Sequence, residues 1–296
     1  MSSPAELWDA VVGSEGEDRI QGLKKLADSL WATGETDDSL AVLAQLAEEM
    51  RLAASTGRWL TQIWLNALKL RELEDYDASN ELLEEGITAA TNESDDRNLG
   101  LMRHIRARNM FDQEFFEYAK VEFERAMEIH ASCGEDLMVA RAKSELAATL
   151  ESLGSNIQAL TLRFGALRGF ELSGEVDEVA EENLAIGLLH QKMDAHYAAI
   201  SYLEDAKAGW KFLGSDNEYQ QTLRLLGLSL REESRFSEAE KALKLAIAMK
   251  SGREQQQEAA LATQLLAEVW EAQGRIEESQ ELCSEADCLL RATGLR

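Results

Sequence analysis

A step of 40 residues repeats through this chain without an insertion. Small residues recur at that step, and a second small residue follows twelve residues after each of them. The two series are Ala27, Ala67, Ala107, Ala147, Gly187, Gly227 and Ala267, and Ser39, Ser79, Ala119, Ala159, Ala199, Ala239 and Ser279. The step indicates seven near-equal units stacked around one continuous core. A regular array presents surface, so we expect this chain to hold a partner rather than to catalyse a reaction.

Each unit contains two helical patterns separated by a short break. In the sixth unit the buried stripes are Leu223, Leu226, Gly227 and Leu230, then Ala239, Leu243, Ala246 and Ile247. Glycines keep the same step in the turns: Gly34, Gly154 and Gly274 between the helices, and Gly134, Gly174, Gly214 and Gly294 after the second helix. Glycine past a helix end supplies a left-handed cap. Since Pro4 is the only proline, the sequence predicts an all-α chain.

This pattern resembles the tetratricopeptide repeat family. The match in the sixth unit is Leu223, Leu226, Gly227, Leu230, Ala239, Leu243 and Ala246, and the resemblance covers residues 20–296. It implies an α-solenoid, a right-handed superhelix of seven helix-turn-helix repeats. The usual repeat has about 34 residues, so this chain is similar to a long variant, like those of kinesin light chains and bacterial peptide-sensing regulators. HEAT repeats, of about 40–47 residues, are the alternative fold, but the small residues and turn glycines argue against them.

We divide the chain into an N-terminal segment, 1–19, and a single solenoid, 20–296. The predicted repeats are 20–59, 60–99, 100–139, 140–179, 180–219, 220–259 and 260–296. In the first segment Ser3, Pro4 and Glu6 have the spacing of a capping box, and 13–18 is expected to be a loop. Leu7, Trp8, Val11 and Val12 would then cover the open end of the array. The last repeat has no separate polar cap, so its exposed face is a candidate surface for self-association.

The charge balance restricts the partners. The chain carries 30 basic and 55 acidic residues, a net charge of −25. We therefore expect no nucleic acid and no anionic membrane as a partner. Three cysteines are too few and too irregular for a disulfide framework, and neither a membrane span nor a signal peptide is evident. A cytoplasmic location is the prediction.

Motifs for catalysis or cofactor binding are missing from the sequence. It contains no HExxH, no glycine-rich phosphate loop and no GxSxG. His190 and His196 flank one turn, so a shared metal is the sharper interpretation, and packing of His190 at an otherwise apolar position is the plainer one. We predict no enzyme activity, no cofactor and no metal.

Basic and aromatic residues gather in the first four units. In the resembling family the first helix of each unit lines a concave groove. This likeness, with the basic run 103–108, places the candidate groove residues: Lys24, Trp31, Trp64, Arg71, Arg103, His104, Arg108, Phe111 and Arg141. Arginine holds a carboxylate in a bidentate way, and aromatic rings supply buried area. An acidic segment or a C-terminal carboxylate would suit them. Alternatively, these arginines pair with acids of neighbouring helices, such as Asp112 or Glu145.

Polar residues interrupt the core pattern at three places. Asn66 and Arg106 occupy a position that is Leu or Ile in other units, which predicts a polar or partner-filled contact between units two and three, or a side chain that reaches water. Arg163 stands where most units carry Leu or Phe, and Phe164 is expected to take over its packing. The acidic stretch 84–96 is interpreted as a solvated face or as a contact for a basic partner.

These features favour a non-enzymatic interaction scaffold that binds a peptide or protein segment in its concave groove. The alternative is a regulatory peptide-sensing protein that changes superhelical pitch on ligand binding and captures an effector protein. Such regulators, by resemblance, carry an effector domain before the repeats, and the 19 residues before unit one are too few for that. An enzyme or a metal protein is the third and least favoured possibility.

Overall fold

The structure, a computed structural model, describes residues 3–53, 56–249 and 251–293 and contains only helices there. They are α1 (Pro4–Val12), α2 (Gly16–Thr33), α3 (Thr36–Leu52), α4 (Thr56–Glu72), α5 (Tyr76–Glu93), α6 (Asp96–Asp112), α7 (Phe116–Ser132), α8 (Asp136–Ser152), α9 (Asn156–Ser173), α10 (Val176–Lys192), α11 (His196–Leu213), α12 (Asp216–Glu232), α13 (Phe236–Ala248), α14 (Arg253–Ala272) and α15 (Ile276–Thr293). The all-α prediction is confirmed. In the described ranges no helix is long and apolar enough to cross a bilayer.

The helices come in pairs that keep the 40-residue step. The first helix of a pair begins at residue 16, 56, 96, 136, 176 and 216. Each start lies four residues before the corresponding predicted boundary, so the structure adds about one turn to the beginning of each first helix. The expected loop 13–18 is correspondingly shorter, since α2 already begins at Gly16, with Glu17 and Asp18 favourably placed in its first turn.

Two compact units divide the chain, at residues 1–153 and 154–296. The core of the first includes Leu23, Leu46, Leu60, Leu83 and Met102, all fully buried. The core of the second includes Leu203, Leu226, Leu243, Leu266 and Val269. That 20–296 forms one continuous solenoid stays a prediction.

The two small residues of a repeat touch each other. The Ser39 hydroxyl donates to the carbonyl of Ala27 at 2.8 Å, and Ser79 donates to Ala67 at 2.9 Å. Ser279 repeats the contact with Ala267 at 2.8 Å. Close approach of the paired helices puts this hydroxyl against a backbone carbonyl, so a buried serine is satisfied there.

The turn between the helices of a pair has a left-handed residue in every repeat. Gly34, Gly154 and Gly274 have φ of +84°, +76° and +80°. The same conformation holds at the corresponding non-glycine positions, which are Glu74, Glu114, Asp194 and Ser234. The predicted glycine caps are thus confirmed, and the conformation extends to turns without glycine. Gly294, expected to end the last helix, lies outside the described residues.

The N-terminal helix docks as a cap on the first repeat. The Ser3 hydroxyl accepts from the Glu6 amide and the Glu6 carboxylate accepts from the Ser3 amide, so the capping box is confirmed. Val11 is buried, and a Cβ at Gly22 would lie only 2.8 Å from its Cγ2 atom. Trp8 stays exposed, and so does Val12, so this helix covers less of the open end than the sequence suggested.

One junction breaks the regular step. Helix α13 ends at Ala248 and α14 begins at Arg253, three residues earlier than the step predicts. The buried Gln220 amide donates to the carbonyls of Ala246, Met249 and Gln255, at 2.8, 2.9 and 2.9 Å. This side chain therefore supplies the donor that the irregular backbone lacks.

The polar interruptions of the core are paired. Asn66 donates to the Leu43 carbonyl at 3.2 Å and accepts from Gln62 at 2.7 Å. Arg106 forms ion pairs with Glu84 and Glu122, so the contact between repeats two and three is ionic.

Arg163 does not reach water. It is 8% exposed and pairs at 3.1 Å with Glu182, which is 2% exposed. Phe164 does not take over its packing, because its ring lies at the surface, 39% exposed, and contacts Tyr202 there.

Candidate partner-binding surface

Three of the predicted site residues line one cavity in the first unit. Arg71 of α4, Arg108 and Phe111 of α6 meet there, in a volume of about 180 Å³. Asp112, Phe123, Glu145 and Ala148 complete its walls. The helices bring these residues together because α6 lies beside α4 and α8, so side chains about 40 positions apart become neighbours.

The basic side chains of this cavity form ion pairs with acidic side chains. Arg71 lies 2.5 Å from the Asp112 carboxylate, and Arg108 lies 3.4 Å from Glu145. The Nε2 atom of His104 lies 2.7 Å from the other oxygen of Glu145. The internal pairing that the sequence left open is therefore present. All these groups except His104 retain a substantial exposed fraction, so an anion from outside can compete for them.

Lys24, Trp31 and Trp64 lie nearer to the N-terminus of the same unit. Lys24 lines a cavity of about 280 Å³ between α2 and α4, together with Lys69. The Lys69 ammonium lies 3.9 Å above the Trp31 ring, a cation–π contact. The indole nitrogen of Trp64 donates to Asn98 at 3.2 Å, which links α4 to α6.

Arg103 is not brought to the Arg71–Arg108 cavity. Its guanidinium pairs at 2.9 Å with Glu122 of α7, where Arg106 and Arg125 also pair. Arg108 lies five positions after Arg103, so the two side chains leave α6 in different directions. Burial would raise the pKa of Glu122, but Arg106 and Arg103 together lower it. Arg141 lies half-buried on α8.

Two buried histidines lie behind the cavity. His104 and His130 have ring centroids 6.0 Å apart, and His104 also meets Phe123 edge-on at 5.5 Å. The His130 Nδ1 atom lies 2.7 Å from Glu135. Burial lowers the pKa of His130, and Glu135 opposes that shift only in part. The packing around His130 therefore favours its neutral ring over the charged one.

Of the two histidines that flank one turn, His190 and His196, the first contacts an aromatic ring. His190 stacks on Tyr202 with centroids 5.5 Å apart, which fits the interpretation that it packs at an otherwise apolar position. In the described part of the chain, the group of carboxylates, histidines and cysteines close enough to share a metal is Glu175, Asp177 and Glu178, with no histidine in it. Acidic groups of this kind are common without a metal.

Solved structures share this fold. BtubC (BKLC) from P. vanneervenii has a TM-score of 0.63 and 22% identity, covering 72% of this chain and 91% of its own. A signal transduction ATPase with a tetratricopeptide repeat sensor, from Pyrococcus horikoshii, has a TM-score of 0.69 and 12% identity, covering 96% of this chain and 45% of its own. A Rap protein complexed with competence and sporulation factor has a TM-score of 0.60 and 13% identity, covering 98% and 80%.

No family model matches the sequence, and no curated protein matches it. The helix pairs, the left-handed turns and these neighbours define the class as an all-α helical repeat protein. Its fold is of the tetratricopeptide-like repeat type. At these identities the likeness establishes the fold, and function has to be argued from the chain's own surface.

Proposed function

We propose that this protein is a non-enzymatic scaffold that binds a peptide or protein segment on the face formed by α2, α4, α6 and α8. The observation that supports it most is the cavity of Arg71, Arg108 and Phe111, in which two arginines flank an aromatic ring. An acidic side chain or a C-terminal carboxylate takes the place of Asp112 or Glu145. Arginine gives the carboxylate directional hydrogen bonds, and Phe111 contributes apolar contact area.

The other proposed contact residues extend this surface toward the N-terminus. Lys24, Trp31 and Trp64 lie on α2 and α4, while His104 and Arg141 lie on α6 and α8. Arg103 acts in this proposal only indirectly, since it holds Glu122. The location remains proposed as cytoplasmic, and self-association through the last repeat remains a second proposed contact.

The experiment compares two charge-reversed variants. Arg71→Glu with Arg108→Glu changes the cavity, and Arg224→Glu with Arg231→Glu is the control. Arg231 is an arginine at the position of Arg71 in the sixth repeat and is also paired with a glutamate. Partners captured from native extract and identified by mass spectrometry should be lost from the first variant and kept by the control. Equal recovery by both would refute the assignment.

The second candidate is a peptide sensor that changes pitch and captures an effector protein. The Rap protein with a similar fold was solved in complex with competence and sporulation factor, and this motivates the comparison. Small-angle scattering with and without the captured segment separates the two candidates. An unchanged scattering profile supports a static scaffold, and a changed profile supports the sensor.

A further inference from the structure

A further cavity of the first unit shares no lining residue with the cavity of Arg71, Arg108 and Phe111. It has a volume of about 510 Å³ and lies between α3 and α5, the second helices of repeats one and two. Trp59, Ile63 and Asn66 of α4 form part of its floor. Leu40 and Leu82 add apolar walls. The volume is within the range of ligand sites, about 300–1,000 Å³.

The next repeat fills the corresponding space with its own side chains. Forty residues after Ala44, Asn66 and Leu82 stand Glu84, Arg106 and Glu122. Arg106 rises from the floor helix α6 and pairs with Glu84 on α5 and with Glu122 on α7. A cation and two carboxylates thus take up the groove between α5 and α7.

Within residues 154–296, the equivalent space between α9 and α11 is filled with aromatic rings. The positions of Ala44, Leu70 and Leu82 are taken there by Phe164, His190 and Tyr202. Phe164 and Tyr202 have centroids 5.9 Å apart, and His190 stacks on Tyr202 at 5.5 Å. The groove between α3 and α5 stays open because alanine, asparagine and leucine are too short to do the same.

The rim of the open groove is acidic. Glu81 and Glu85 of α5 and Glu48 of α3 line it, against the single cation Arg51. Arg51 is committed to Glu48, at 2.8 Å. Within the described residues no cation forms an ion pair with Glu81 or Glu85, although Arg51 also feels the charge of Glu85. Three carboxylates against one guanidinium leave the rim with a net negative charge.

We propose that the groove between α3 and α5 binds a peptide segment of a protein partner that carries a lysine or arginine beside a large apolar side chain. The apolar side chain contacts Trp59, Ile63 and Leu82, and the cation pairs with Glu81 and Glu85. The segment thereby supplies from outside the cation that Arg106 supplies in the next groove. This site is separate from the Arg71–Arg108 cavity on the face of α2, α4, α6 and α8, and it goes beyond the proposed function.

The test uses a phage-displayed library of random nonapeptides selected on the full chain. Enriched peptides should contain a basic residue within two positions of Leu, Ile, Met or Phe. Synthetic copies should bind in fluorescence polarisation with an affinity that falls as salt rises. A library that yields no such sequence overturns the proposal.

Three variants locate the binding. The triple change Ala44→Glu, Asn66→Arg and Leu82→Glu copies the filled groove of the next repeat and should weaken binding at least about tenfold, equal to about 1.4 kcal/mol. Glu81→Gln with Glu85→Gln should weaken it similarly, and these exposed changes keep the assay informative if the triple variant fails to fold, as judged by circular dichroism. Arg71→Glu with Arg108→Glu should leave the affinity of the peptide unchanged. A failed prediction for the groove between α3 and α5 is therefore distinguishable from a failed prediction for the face of α2, α4, α6 and α8.

Equal binding by the wild type and Glu81→Gln with Glu85→Gln overturns the proposal. So does a dimer in sedimentation that the same changes abolish, which would make a second copy the occupant.

Discussion

At the scale of single residues, the part of the chain from 154 to 296 contains a buried ion pair at positions where repeats two and three carry Leu83 and Met102. Arg163 occupies the position of Leu43, Leu83, Phe123, Leu203 and Leu243, and Glu182 occupies that of Met102. Both are buried, and their charges lie 3.1 Å apart. A buried pair gains little over apolar packing, but one partner without the other is costly.

We therefore expect Arg163→Leu alone to destabilise the protein by about 3–5 kcal/mol, because it leaves a buried carboxylate without its arginine. The double change Arg163→Leu with Glu182→Met should restore stability to within about 1–2 kcal/mol of the wild type, since the equivalent positions of repeats two and three carry the apolar Leu83 and Met102. Urea denaturation of both single variants and the double variant measures this. Additive losses would show that the two charges are not coupled.

Another residue-scale prediction concerns pH. Burial lowers the pKa of His190, so the folded state favours the neutral ring more than the unfolded chain does. Stability from this group is therefore complete above the unfolded pKa of about 6.5 and falls as pH drops below it. His190→Leu, which installs the residue of repeats one, two, four and six, should lessen the fall in melting temperature between pH 7 and pH 5. Parallel curves for wild type and variant would contradict the assignment.

At the scale of helices, the contact between the two small residues sets how closely a pair packs. Ala239 is fully buried at the position where Ser39 and Ser79 donate to a carbonyl. We expect Ala239→Ser to change the free energy of unfolding by no more than about 1 kcal/mol, because Gly227 offers the same carbonyl. Ala239→Leu at the same position should cost about 1–3 kcal/mol or more through overpacking. Thermal melts of both variants measure the loss of stability. An equal loss for serine and leucine would argue against close packing of the paired helices at this position.

Much of each helix pair could be predicted from sequence, because its determinants are local. The turn glycines, the Ser3 capping box and the small residues act within a few positions or one step of 40. The ion-pair partners could not be predicted. Which of the 55 acidic residues an arginine contacts depends on distances in the folded chain, and the sequence does not give those distances. Arg103 shows this. Its place in a basic run suggested the groove, but its side chain points from α6 toward α7 and pairs with Glu122.

The open groove was missed for a different reason. It follows from residues that are too small, and Ala44 or Leu82 carries no signal by itself. Comparison with Glu84 and Glu122, one step later, is the signal that could have found it. The junction at Gln220 was hidden similarly, since Ser251 and Gly252 mark a turn but do not show that the next helix begins three residues early.

At the scale of the whole molecule, a net charge of −25 opposes compaction. Exposed ion pairs contribute little each, so general repulsion should dominate the response to salt. Raising sodium chloride from about 0.01 M to about 0.1 M shortens the Debye length from about 30 Å to about 10 Å. We expect the melting temperature to rise in differential scanning fluorimetry over this range. A fall would show that the ion pairs between helices outweigh the repulsion.

The left-handed turn described above has a consequence for how such a chain can change in length. The conformation holds at residues 34, 74, 114, 154, 194, 234 and 274, whether the side chain is glycine, glutamate, aspartate or serine. Recombination between any two of these sites would join a helix end to a turn of the same geometry. Whole repeats could then be gained or lost in the gene while every surviving turn keeps its shape, and a binding surface could lengthen or shorten one module at a time.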